Sequence, residues 1–154
     1  MPVGVHTPQR EIRDVGRFEL VLRLAVEVMD GCATGTQCAS RGWSHQPRSE
    51  AALARDLGYH AGLLSLAAWR STSNAEFLEY CRAVAKETPV AGYDLQEAVG
   101  GMRLSRTFWQ GFAEIENVVA IKMAPFSRYR RLDIICGLVA ARQKTASRFT
   151  PTMM

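Results

Sequence analysis

The sequence lacks any run of the ~18 consecutive apolar residues that a membrane helix needs. Its first residues show no basic-then-apolar leader pattern ahead of the polar stretch HTPQREIRD. These absences predict a soluble, cytoplasmic chain with no membrane partner. Cysteine is sparse: Cys81 and Cys136 fall on apolar faces of predicted helices, and Cys32 and Cys38 lack C-x-x-C spacing, so all four read as packing thiols rather than disulfides or zinc ligands. His6, His45 and His60 are far apart and form no H-x-x-x-H or H-E-x-x-H pair, so no metal site is expected. Glycine is present but not in the patterns that cradle phosphates. No G-x-G-x-x-G or G-x-x-x-x-G-K-[ST] follows a predicted strand, which argues against a Rossmann or P-loop nucleotide site. Lys+Arg exceed Asp+Glu by 19 to 15, but the basic residues are scattered until Arg128, Arg130 and Arg131. Without a continuous basic stripe, nucleic acid is not the expected partner.

What remains is 154 residues with 47% hydrophobic and 22% charged side chains, the profile of one globular domain. Val3 to His6 is a short β-prone run ending at the turn Thr7-Pro8. Phe18, Val21, Leu22, Ala25, Val28 and Met29 then repeat at helical spacing. A second helix, Ser49 to Leu57, stops at Gly58, and the nearly all-apolar run 61–68 reads as a strand covered on both faces. Ser73-Asn74-Ala75-Glu76 is a capping box opening a helix with Phe77, Cys81 and Val84 inward, followed by strand 90–95. The unit repeats: Ser105 starts a helix burying Phe108, Trp109, Phe112 and Ile115, strand 118–124 follows, and a last helix carries Leu132, Ile135, Cys136 and Val139. Residues 31–49 and the tail 142–154 show neither helical nor alternating periodicity and read as irregular.

This alternation, one unit in roughly 25 to 30 residues, is the βαβ rhythm of a doubly wound sheet or a (β/α)8 barrel. Barrel active sites collect at the carboxyl ends of the strands. Lys122 sits at such an end among the apolar residues Val118, Val119, Ala120, Ile121, Met123 and Ala124. An amine there suits Schiff-base formation with a carbonyl substrate; a lysine snorkelling to water or pairing with Asp94 is the plainer alternative. Tyr93 occupies the matching end of the preceding strand, where its phenol would either relay protons or simply fill the core. Thr7, just past the first strand, offers a hydroxyl for a substrate carboxylate or caps a turn.

The stretch from Gly58 to about Ala141 resembles the dihydrodipicolinate synthase / N-acetylneuraminate lyase family. LSRTFWQGFAEIENVVAIKMAP (104–125) is similar to the family's helix followed by N-[VI]-[VI]-[GA]-[IL]-K, with the Schiff-base lysine falling on Lys122. GYHAGLLSLAAW (58–69) is similar to the family's G-[AY]-x-[AG]-x-[LM] strand. TPVAGYDLQEAVGG (88–101) is similar to its P-[VI]-x-x-Y-N-x-P segment, whose proton-relay tyrosine falls on Tyr93. VGVHTPQ (3–9) resembles a remnant of the carboxylate-binding G-T-T-G-E loop, with Thr7 in the place of its first threonine. The resemblance implies a TIM barrel, class I aldolase chemistry on pyruvate or a related 2-oxo acid, no metal or organic cofactor, and a homo-oligomer. Four positions depart from the pattern. Pro8 replaces the second threonine, Asp94 an asparagine and Gln96 a proline, and Ala98 stands where synthases that condense aspartate semialdehyde carry arginine.

A full (β/α)8 barrel takes about 250 residues, so the expected fold is a single incomplete barrel domain over residues 1–154. Read in another register, with codons chosen freely, the sequence after Ala141 can spell a further strand with an acidic turn. CASRGWS (38–44) can likewise spell the strand missing between the first two helices. The expectation is a truncated or frame-disrupted lyase, the alternative being a non-catalytic fragment of such an enzyme.

Overall fold

A single parallel sheet organises the chain. The structure, a computed structural model, describes residues 2–3, 15–29, 37–40, 46–65, 73–99, 101–124 and 127–144. Strands β1 (Pro2–Val3), β2 (Gln37–Ser40), β3 (Ala61–Ser65), β4 (Val90–Asp94) and β5 (Val118–Met123) lie side by side in chain order, every pairing parallel. Each strand is followed by one helix: α1 (Phe18–Val28), α2 (Gln46–Asp56), α3 (Asn74–Ala85), α4 (Arg106–Ala113) and α5 (Arg128–Lys144). A doubly wound sheet reverses its strand order at a switch point; five strands in unbroken order instead wind one way, as in a barrel wall. The chain is thus a partial (β/α)8 TIM barrel.

The local signals that begin and end the helices are satisfied in detail. The Ser73 hydroxyl accepts from the Glu76 amide at 3.3 Å, and the Glu76 carboxylate accepts from the Ser73 amide at 3.1 Å, a reciprocal cap on α3. Ser105 caps α4 by accepting from the Phe108 amide at 3.2 Å. Gly58, at φ +82°, takes the left-handed conformation that ends α2, and the Tyr59 amide then reaches back to the Ala54 carbonyl at 2.9 Å.

The main core lies between the sheet and helices α3 to α5. Phe77, Phe108, Trp109 and Phe112 are fully buried, with the Phe77 and Phe108 rings stacked at 5.0 Å and Trp109 edge-on to Phe108 at 5.4 Å. A Cβ on Gly137 would lie 2.9 Å from both the Trp109 Cβ and the Arg106 carbonyl, so the bare glycine is what lets α5 press against α4. A smaller cluster joins α1 to α2 through Phe18, Leu22, Ala54 and Tyr59, where the Tyr59 hydroxyl donates to the Leu22 carbonyl at 3.0 Å. On the inner face of the sheet, Leu63 and Ala91 are buried with Tyr93 and Ala120 against them.

Several expectations need correction. In α5 the buried stripe is Ile134, Leu138 and Ala141, whereas Leu132, Ile135 and Val139, expected inward, are exposed. The segment IICGLVAA is apolar nearly all round, so spacing alone fits more than one face, and the gap at Gly137 selects the one that meets α4. In α1, Phe18 and Leu22 are buried as expected but Val28 is 75% exposed at the helix end. Residues 31–49, expected irregular, hold β2 and the first turn of α2. β2 pairs with β3 from Gln37↔Ala61 to Ser40↔Leu64, and parallel pairing satisfies backbone groups whatever the side-chain pattern. α5 also runs on to Lys144, two residues past the point where irregular chain was expected to begin. No helix among the described residues is long and apolar enough to cross a membrane.

Candidate active site

β4 and β5 carry the two residues that the motifs single out. Tyr93 and Lys122 are register partners at the carboxyl ends of these adjacent strands. The register shifts between Val90, which pairs with Val118, and Ala91, which pairs with Ala120, leaving Val119 as the extra residue of a bulge. The Lys122 Nζ lies 4.9 Å from the centroid of the Tyr93 ring, a cation–π distance. Both side chains are half-buried and share the inner face with Ala91 and Ala120. Burial raises the Tyr93 phenol above its ordinary pKa of 10, so it is protonated at neutral pH and available as a proton donor.

The strand ends are tied to the surrounding loops. The Ala124 amide donates to the Asp94 carbonyl at 3.0 Å and the Gln96 side-chain amide donates to the Ala124 carbonyl at 3.1 Å, joining the chain beyond β4 to the chain beyond β5. Asp94 does not pair with Lys122. Its carboxylate, 2% exposed, accepts from the Arg130 guanidinium at 3.0 Å, and the same guanidinium nitrogen donates to the Met102 carbonyl at 3.0 Å. Arg130 also stands 3.5 Å from the Glu97 carboxylate. Burial raises the Asp94 pKa, an effect that the Arg130 charge opposes. Sequence reading took Arg130 for one of a basic run and missed its role as a clamp between α5, the end of β4 and the loop before α4. The one available signal was Asp94 itself, a carboxylate at the end of an otherwise apolar strand.

Thr7, the expected carboxylate ligand, lies outside the described residues. A shallow depression of about 410 Å³ opens beside the clamp, lined by Glu97, Gly101, Met102 and Arg103, and neither Lys122 nor Tyr93 lines it. Among the described residues no group of three or more His, Cys, Asp or Glu side chains could hold a metal ion. Burial pushes the Cys81 thiol pKa well up, so this cysteine is a packing group and not a nucleophile.

Strands in chain order, with an amine and a phenol side by side at their carboxyl ends, place the molecule in the class of partial (β/α)8 barrels. Among solved structures the chain is similar to a Pseudomonas aeruginosa protein assigned as a dihydrodipicolinate synthetase, with TM-score 0.65 and 20% identity over 73% of this chain and 39% of that one. It is also similar to N-acetylneuraminate lyase from Mycoplasma synoviae, with TM-score 0.63 and 19% identity over 77% of this chain and 39% of that one. These are the two kinds of enzyme that the sequence motifs resemble, and at such identities the likeness shows the fold. The chain therefore spans well under half the length of either neighbour. No family model matches the sequence, and no curated protein does.

Proposed function

We propose that the chain is a member of the dihydrodipicolinate synthase / N-acetylneuraminate lyase family and carries the imine-forming part of a class I aldolase-type site. The observation that supports this reading is the pairing of Lys122 with Tyr93, in register, on the inner face at the strand ends. The Lys122 amine attacks the C2 carbonyl of pyruvate or a related 2-oxo acid, and loss of water leaves the imine. With a longer 2-oxo acid that carries a hydroxyl on C4, the protonated imine takes up the electron pair of the breaking C3–C4 bond while the C4 hydroxyl loses its proton and the C4 fragment leaves as an aldehyde. With pyruvate, the imine loses a C3 proton and the resulting enamine attacks an aldehyde in the reverse sense. The Tyr93 phenol passes the proton that converts the departing hydroxyl into water, and Thr7 with backbone amides holds the substrate carboxylate. The imine is itself the electron sink, so this chemistry calls for neither metal nor organic cofactor. A cytoplasmic setting and a homo-oligomeric assembly belong to the same reading.

The test is reductive trapping. The chain is treated with pyruvate and borohydride, and the adduct is mapped by mass spectrometry across Lys86, Lys122 and Lys144, its three lysines. The yield is expected to be low, because a partial wall does not enclose the substrate, but concentrated on Lys122. Lys122→Ala should remove that signal, and Tyr93→Phe should slow its appearance while leaving saturation with pyruvate unchanged. Equal labelling of the three lysines, or none at Lys122, would leave the non-catalytic fragment as the better description.

A further inference from the structure

The carboxyl ends of β4 and β5 are tied by more than the ladder between them. Asp94 is the last residue of β4, next to Tyr93, and it pairs in register with Met123, next to Lys122. Its backbone carbonyl accepts from the Ala124 amide at 3.0 Å, which carries the ladder one residue past the end of β5. Its carboxylate accepts at 3.0 Å from Arg130, in the first turn of α5. One residue of β4 thus holds both the chain leaving β5 and the helix which that chain enters. The Gln96 side chain adds a bond to the Ala124 carbonyl at 3.1 Å, and the Gly101 amide donates to the Gln96 carbonyl at 2.8 Å, so the loop beyond β4 folds back on the same place.

Arg130 closes this frame. Its side chain is 15% exposed, whereas Arg128 and Arg131 on the same turn are exposed. The nitrogen that meets Asp94 also donates to the Met102 carbonyl at 3.0 Å, and its neighbour stands 3.5 Å from the Glu97 carboxylate. A planar guanidinium with several fixed donors holds such segments at set angles, as an ammonium on a flexible stem does not. The Lys122 amine, at the end of just such a stem, lies 4.9 Å from the centre of the Tyr93 ring, and that separation is set by the two strand ends. On the imine-forming reading of Lys122, on which this rests, we propose that Arg130 is a positioning residue: through Asp94 it fixes the ends of β4 and β5 so that the Lys122 amine stays over the Tyr93 ring.

Two readouts on the 154-residue chain test this. The first needs no substrate. Lysines are methylated with isotope-labelled formaldehyde, and the Lys122 resonance, identified by its loss in Lys122→Arg, should lie upfield of the Lys86 and Lys144 signals because it sits over an aromatic ring. Tyr93→Leu should remove that offset. Arg130→Met, which keeps the aliphatic stem and deletes the guanidinium, should remove it too in a chain that is still folded by near-ultraviolet circular dichroism. The second readout is trapping with pyruvate and borohydride, where Arg130→Met should slow adduct formation at Lys122 by roughly tenfold to a hundredfold and leave the background at Lys86 and Lys144 unchanged. If Arg130→Met unfolds, Asp94→Ala takes its place, since Arg130 then keeps Met102 and Glu97. Asp94→Asn, whose side-chain carbonyl still accepts from the guanidinium, should restore both readouts. A bond that served stability alone would move the denaturant midpoint and leave the Lys122 resonance where it was. No offset in the parent chain, a folded Arg130→Met that keeps the offset and the trapping rate, or Asp94→Asn and Asp94→Ala behaving alike overturns the proposal. An offset in the parent chain with no adduct enriched at Lys122 counts against the imine reading, and loss of that offset in Arg130→Met still upholds the positioning.

Discussion

Two regions of this molecule are held together by different means. Among the described residues a continuous core of eighteen buried side chains, Ala51 of α2 among them, lies between the sheet and α3 to α5, built around four aromatic rings. Among the described residues between α1 and α2 there are four, and one of them, Tyr59, contributes a hydrogen bond as well as its ring. The first region has contacts to spare, and the strands carrying Tyr93 and Lys122 are anchored on it. The second, among the described residues, joins its helices through a small apolar patch that includes the buried Tyr59–Leu22 hydrogen bond, so the β1 end of the wall should open at lower free energy than the β5 end.

The largest expected effect is in the aromatic core. Phe108→Ala removes a ring that meets Phe77, Trp109 and Phe112, and should destabilise the chain by about 3–5 kcal/mol, read from the denaturant midpoint. If Leu22→Ala in the small cluster cost as much, the two regions would be a single cooperative unit and the comparison would fail. Next in size is Tyr59→Phe, which keeps the ring and deletes the bond to the Leu22 carbonyl. It should cost about 1 kcal/mol, and hydrogen exchange should accelerate in α1 and α2 while α4 and α5 keep their protection. Uniform acceleration in all the helices would erase the distinction.

Asp94→Asn should have the smallest effect at neutral pH, within about 1 kcal/mol, because the attraction of Arg130 is set against the burial of the carboxylate. Its sign shows in the pH dependence. With the folded pKa raised above the unfolded value, the folded chain holds the Asp94 proton more tightly. That contribution is fully present below the unfolded pKa and is lost as pH rises through the folded one. The stability of the parent chain relative to Asp94→Asn should therefore grow as pH falls through the carboxylate range. A loss of 3 kcal/mol or more at neutral pH would mean that the Arg130 contact outweighs desolvation after all.

Features written in a few adjacent residues were legible in the sequence. The reciprocal cap of Ser73 and Glu76, the stop at Gly58 and the Phe108/Trp109/Phe112 face of α4 each depend on neighbours within one or two turns. The Tyr93/Lys122 pair was legible because both fall at matching ends of strands whose order follows the chain. The buried side of α5 was not, because Gly137 acquires its meaning only when α4 is already in place. β2 escaped notice because its strand character comes from β3 and β1 on either side rather than from its own residues. The Arg130 clamp on Asp94 joins positions 36 apart, and nothing local distinguishes Arg130 from Arg128 or Arg131.

The bulge at Val119 gives this site a tolerance of chain length that composition does not reveal. Val119 is 48% exposed and has little packing of its own, so most residues should be tolerated in its place. Deleting it should be tolerated as well, because it is the residue left out of the pairing: Val118 would run straight on to Ala120 and the alternation of faces would become regular. Val90 would still pair with Val118, Ala91 with Ala120 and Tyr93 with Lys122, so Ile121 would stay on the helix side and Lys122 on the inner face. A lineage of such chains could therefore vary freely in spelling between Asn117 and Ala120 and could lose Val119 altogether, whereas a further inserted residue would need a wider bulge to keep Tyr93 opposite Lys122.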